Sequence, residues 1–173
     1  MLIDKLLSFV DLENFDSVPI TDIKDESLIK EFEKDVLYRD CFSKSANLDL
    51  WNLSKSSKVG LMAVKNNKCI GCIFALYSDT VGFVKYIPKT ELIIVNFCVD
   101  SDFRSDGVGS LLMNTLLSRV KFMNSKIFLG LSKKEPLNNI CRLERFYNKF
   151  GFVRHHEDEN YIIMKKKMSG EFL

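Results

Sequence analysis

Glu91-Leu-Ile-Ile-Val-Asn-Phe-Cys-Val-Asp100 is followed without interruption by Ser101-Asp-Phe-Arg-Ser-Asp-Gly-Val-Gly109 and Ser110-Leu-Leu-Met-Asn-Thr-Leu-Leu-Ser-Arg-Val120. The first block is apolar and β-branched, the composition of a buried strand. The last block repeats Leu111, Leu112, Thr115, Leu116 and Val120 at helical spacing, which predicts an apolar helix face. Between them, Gly107 and Gly109 open the helix without side chains. A strand that turns through glycines into a helix leaves several N–H groups pointing outward, at the positive pole of the helix dipole. Such an end suits a phosphate or diphosphate.

Two familiar phosphate-binding patterns fail on residues. A nucleoside-triphosphate loop needs lysine and Ser/Thr directly after its last glycine, and Gly109 is followed by Ser110 and Leu111. A dinucleotide fingerprint needs a third glycine at the helix start, where Leu112 stands, and an acid about 20 residues on; Lys121 to Leu131 contains none.

Working outward, Val59 to Val64 and Lys68 to Leu76 read as strands joined by Asn66-Asn67, a pair that tolerates positive φ in a tight hairpin. Val18-Pro19-Ile20-Thr21 reads as a brief extended piece. Asp25 to Tyr38 reads as a helix with a Leu28, Ile29, Phe32, Val36, Leu37 stripe, and Asn47 to Leu53 as a second, with Trp51 in the core. Met1 to Leu12 fits either a short amphipathic helix or a strand. Tyr77 to Thr90 is a polar-aromatic connection carrying Tyr77, Phe83 and Tyr86. Beyond the central stretch, Ile127 to Leu131 reads as a strand and Pro136 to Phe150 as a helix stopped by Gly151. Tyr161 to Met164 closes the sheet, and Lys165-Lys166-Lys167 begins a polar tail. His155 and His156 are placed in a charged, solvated turn with Glu157, Asp158 and Glu159.

The 173 residues suit one domain, and 46% hydrophobic residues are ample for a core. Net charge is +2, which argues against a nucleic-acid-binding protein. The charge is uneven. Residues 1–100 hold 12 basic and 15 acidic side chains, net −3; residues 101–173 hold 13 basic and 8 acidic, net +5. An anionic ligand on the second half accounts for this, as does a solvated helix face. The five cysteines are an odd number without a disulfide framework. Cys69, Cys72 and Cys98 lie in apolar runs, which points to buried free thiols in a reducing, cytoplasmic setting. Cys69-Ile-Gly-Cys72 lacks the second pair that a zinc site requires. No apolar run approaches the ~20 residues of a membrane span, and the N-terminus has no signal-peptide pattern.

Arg104-Ser105-Asp106-Gly107-Val108-Gly109 resembles the Arg/Gln-x-x-Gly-x-Gly/Ala motif of the GNAT superfamily of N-acetyltransferases. Phe97-Cys98-Val99-Asp100 precedes it, and Phe146-Tyr147-Asn148-Lys149-Phe150-Gly151-Phe152 resembles the family's Phe-Tyr-x-x-x-Gly-Phe element. The resemblance covers Glu91 to Phe152. It implies an α/β (α+β) single domain over residues 1–173, with a motif-bearing core at about 59–167. Its mixed, mostly antiparallel sheet would be flanked by helices and splayed where the cofactor enters. It also implies acetyl transfer from acetyl-CoA to a primary amine. The cofactor-binding residues so implied are Phe97, Cys98, Val99, Arg104, Ser105, Asp106, Gly107, Val108, Gly109 and Ser110, with Asn139 one position from the family's asparagine. Tyr147 matches the family's general acid; the alternative is a core aromatic beside Phe146 and Phe150. Many members carry a glutamate where this chain has Ile93. Glu91, two residues earlier on the same strand face, is the candidate base, or else a surface carboxylate at a strand start. The implied partners are acetyl-CoA and a protein lysine or N-terminus, a small amine or an aminoacyl-tRNA, with a homodimer left open. A non-catalytic acyl-CoA-binding module is the alternative function.

Overall fold

The computed structural model describes residues 18–37, 49–80, 86–122 and 126–168. Seven strands form one sheet: β1 (Ile20–Asp22), β2 (Val59–Lys65), β3 (Lys68–Tyr77), β4 (Leu92–Val99), β5 (Lys126–Ser132), β6 (Val153–Glu157) and β7 (Tyr161–Lys167). Their order is β1-β2-β3-β4-β5-β7-β6. Every adjacent pair is antiparallel except β4 and β5. The β2–β3 hairpin turns as its asparagines predict, with φ of 51° at Asn66 and 57° at Asn67.

Helices α1 (Glu26–Phe32), α2 (Leu50–Ser56), α3 (Val108–Val120) and α4 (Leu137–Asn148) cover the two faces. The carboxylates of Asp25 and Asp49 cap α1 and α2 by accepting N–H groups of their first turns. Helix α1 passes into a π-helical turn, Glu33–Leu37. Alternation along β3 sorts the core: Ile73 and Ala75 face α3 and α4, while Cys72 and Phe74 face α1 and α2. On α3 the buried stripe is Val108, Leu112, Met113, Leu116 and Val120. Leu111, expected on that stripe, is instead exposed.

The structure differs from the sequence expectation in four further places. Helix α2 runs three residues later than Asn47 to Leu53, because Asp49 caps it. His155 and His156 lie in β6, an unforeseen edge strand. Only the reversal after it is a turn: the Asp158 carboxylate accepts the N–H groups of Asn160 and Tyr161, and the ladder resumes on both sides. Lys165 to Lys167 are no tail. Their main chains pair with Phe128, Ile127 and Lys126, a bond that asks nothing of the side chain. Finally, Cys69 and Cys72 are buried free thiols as expected, but Cys98 is disulfide-bonded rather than free. Met1 to Leu12, Tyr38 and Phe83 also lie outside them.

Candidate functional site

The site begins where a ladder stops. β4 pairs with β3 along its whole length but with β5 only at Leu92, Ile93 and Ile94. From Val95 onward the two parallel strands diverge, and a β-bulge on β4 opposite Phe74/Ala75 marks the same point. The expected splay is therefore present. A cavity of about 690 Å³ lies by the diverging end, lined by Phe97, Cys98 and Val99 of β4, the loop from Arg104 to Ser110, and α4.

The loop's conformation follows from its residues. Gly107 has φ +78° and is the N-cap of α3, a conformation that favours glycine. Ser105 also has positive φ, +76°. Gly109 serves space rather than conformation. A Cβ there would stand 3.4 Å from the Phe97 ring and 3.6 Å from that of Phe146, narrowing the cavity floor. Arg104 reaches back and donates from Nε to the Val99 carbonyl at 3.0 Å, latching the loop to the end of β4. The α3 N-terminus has no side-chain cap, which leaves its first N–H groups open to a ligand.

Tyr147 comes from α4, and Gly151 with φ +82° ends the segment after it. Its ring packs on Phe97, Phe146 and Phe152, at centroid distances of 6.3, 5.3 and 6.0 Å. The residue is buried yet reaches the cavity wall. Burial pushes the phenol's pKa well above its ordinary value, so it stays protonated and able to donate.

Eight of the candidate residues meet here: Phe97, Cys98, Val99, Arg104, Ser105, Gly107, Gly109 and Ser110, with Tyr147 as the ninth. Four others do not line the cavity. Asp106 is exposed on the loop's outer side. The side chain of Val108 enters the core, leaving only its main chain to the loop. Asn139 stands in the first turn of α4, its amide 3.5 Å from Glu135. Glu91 immediately precedes β4, six residues or roughly 20 Å along the chain from Phe97. It is buried, with Lys126 Nζ at 3.8 Å. Neither a base in the cavity nor a surface carboxylate describes it. The histidines lie elsewhere too. His156 stacks on Tyr86, with centroids 3.8 Å apart. The His155 pKa is lowered, first by desolvation and then by the neighbouring Lys165.

Arg142, Leu143, Arg145, Phe146 and Lys149 also line the cavity; Phe146 and Lys149 stand in the second sequence motif, but none of the five was named as a site residue from the sequence. The signal was available: 142, 145/146 and 149 repeat at helical spacing around Tyr147. The paired thiols contribute no reactive group. Burial pushes Cys69 up to about 12 and Cys72 well above the ordinary range. Cys141 on α4 is exposed and free.

A sheet divided between two parallel strands, beside a glycine-opened helix N-terminus and a buried phenol, is shaped to hold an extended ligand with an anionic end. The chain belongs to the GNAT family: the acetyltransferase (GNAT) domain matches residues 57–154. Solved structures share the fold. Ard1 from Thermoplasma volcanium is 21% identical with a TM-score of 0.67, over 87% of this chain and 97% of that one. An aminoglycoside 6′-N-acetyltransferase complexed with coenzyme A is 19% identical, TM-score 0.63, over 87% and 97%. Arabidopsis thaliana Naa50, in complex with the bisubstrate analogue CoA-Ac-MVNAL, is 20% identical, TM-score 0.62, over 86% and 97%. No curated protein sequence matched the chain. Among the described residues, no helix is long and apolar enough to cross a membrane.

Proposed function

We propose that this chain, acting as one domain with its working core at about 59–167, is an acetyl-CoA-dependent N-acetyltransferase. The observation that carries the reading is the cavity at the β4–β5 divergence, which joins the α3 N-terminus to the phenol of Tyr147. The residues fit the donor. The N–H groups of the loop and of the α3 start suit its diphosphate. The apolar wall of Phe97, Val99 and Phe146 suits its pantetheine arm, and Gly109 leaves the floor open. Acetyl-CoA supplies an activated thioester. The chain's own residues orient it and exclude water. Tyr147 would hold a proton where the sulfur leaves: as an amine takes the acetyl group and the carbon–sulfur bond breaks, the phenol would protonate the sulfur and regain its proton from solvent, which also takes the proton lost by the amine.

Proteins of the same fold act on very different amines, an aminoglycoside in one case, and one binds a peptide-bearing analogue in another. A protein N-terminus or lysine, a small amine and, less directly, an aminoacyl-tRNA are the acceptor classes to screen. The test is a thermal melt with and without acetyl-CoA. At about a hundredfold over Kd a ligand adds ~2.7 kcal/mol, or roughly 5–10 °C for a domain of this size. A shift of that order that vanishes in Gly107→Glu supports the reading. No shift at millimolar acetyl-CoA overturns it. The placement of Glu91 away from the cavity favours one second reading, a non-catalytic acyl-CoA-binding module. That reading predicts the same melt shift and no turnover with any amine.

A further inference from the structure

The cavity wall carries more positive charge than one diphosphate needs. Its lining includes Arg104, Arg142, Arg145 and Lys149 and no carboxylate. Arg104 belongs to the loop and is spent in part on Val99. The other three come from α4 and its C-cap, Lys149, where spacings of three and four residues place them along one side of the helix. All three are exposed. Elsewhere in the described structure, cations near carboxylates are neutralised. Arg119 pairs with Asp22, Arg154 with Glu144 and Glu157, Lys133 with Glu157 and Lys126 with Glu91. Among the described residues no carboxylate forms an ion pair with Arg142, Arg145 or Lys149; Arg145 donates only to the carbonyl of Cys141, at 3.3 Å. Three uncompensated cations on one cavity wall repel one another, and an anion there relieves that repulsion.

We propose that Arg142, Arg145 and Lys149 form a second anion site, distinct from the α3 N-terminus. It takes the 3′-phosphate on the nucleotide end of coenzyme A and makes the protein selective for that carrier over its 3′-dephospho form. The inference rests on the coenzyme A reading of the cavity and adds a discrimination that reading does not contain. A phosphate monoester carries about two negative charges near neutral pH. Arginine guanidiniums present paired donors to phosphate oxygens, and lysine adds a point charge. Because the three side chains are exposed, the selectivity is sensitive to salt.

The experiment is calorimetric titration of the full chain with coenzyme A and, separately, with 3′-dephospho-coenzyme A at low salt. The wild type is compared with Arg142→Gln/Arg145→Gln/Lys149→Gln. A control, Lys24→Gln/Lys30→Gln/Lys34→Gln, removes equal charge from exposed positions in and around α1, on the opposite sheet face. Expected is at least tenfold weaker binding of the dephospho form by wild type and control. In the α4 variant the two affinities fall within twofold of each other, through loss of coenzyme A affinity alone. Equal wild-type affinities overturn the proposal and leave the acetyltransferase reading standing. Wild-type binding of neither ligand at millimolar concentration overturns both. A discrimination that survives in the α4 variant also overturns the proposal. Should the triple variant not fold, the wild-type ratio and Arg142→Gln, expected to narrow it severalfold, decide the matter.

Discussion

The two ends of β4 are built from the same kind of residue and do opposite things. At its start, Leu92, Ile93 and Ile94 are bonded to both neighbouring strands, all three side chains are buried, and Glu91 ahead of them is held by Lys126. At its end, Phe97, Cys98 and Val99 are bonded to β3 alone and line a cavity. Apolar character is common to both. The difference lies in whether β5 continues alongside, and that is decided by the twist and bulge of the sheet rather than by hydrophobicity. One half of the strand supplies stability and the other supplies a site, so substitutions in the two halves should fail in different assays.

The sharpest separation is expected from Tyr147→Phe. Removing a general acid typically costs a factor of 10² to 10⁴ in turnover. Coenzyme A affinity, read by calorimetry, should stay within about twofold, since only a hydroxyl is lost. A parallel fall in affinity would make Tyr147 a binding residue. Leu92→Ala at the zipped end should cost about 2–5 kcal/mol in urea denaturation, leaving the ligand-induced melt shift intact in the folded fraction. Gly107→Ala should cost about 1–2 kcal/mol, because φ +78° penalises any Cβ while nothing lies within 4 Å to clash with it. A larger loss would mean that the loop cannot accommodate even that side chain. The smallest effect is expected from Glu91→Gln, with turnover changed less than about threefold. A hundredfold loss would bring Glu91 into the chemistry after all and erase the contrast between the two ends.

Tyr147 also gives a pH signature. Its folded pKa lies above the unfolded value of about 10, so the stability gained by burying the neutral phenol is complete below that pH and is lost as pH rises beyond it. Tyr147→Phe should flatten this alkaline limb of the unfolding free energy. An unchanged limb would show that the ring's hydroxyl is not buried in the folded state.

What could be read from the sequence was whatever depends on local chemistry. Asn66-Asn67 announced a hairpin, Gly107 the opening of a helix and Gly151 a helix stop, and each appears in its place; that Gly107 is a left-handed N-cap is shown by the structure. β6 was hidden because Val153, Arg154, His155 and Glu157 are all exposed, which leaves a two-residue alternation nothing to show. Lys165 to Lys167 misled for a related reason: strand pairing there is made by the main chain, whatever the side chains prefer. At the site, the glycine loop and Tyr147 were legible through motif and resemblance. Glu91 and Asn139 lie away from the cavity, because a shift of one or two residues along a strand or helix carries a side chain to another neighbour, here Lys126 and Glu135. The α4 cations were visible as letters, but their freedom from carboxylate partners is a property of three dimensions.

The cysteines have a practical consequence. Cys69 and Cys72 are sealed in the core with thiols that resist ionisation, Cys98 is already bonded, and Cys141 is the described thiol that is both free and exposed. It sits on α4 one residue before Arg142, which lines the cavity. A maleimide-linked dye at Cys141 would thus give the unaltered sequence an optical reporter beside its proposed nucleotide pocket, with ligand arrival read as a change in fluorescence.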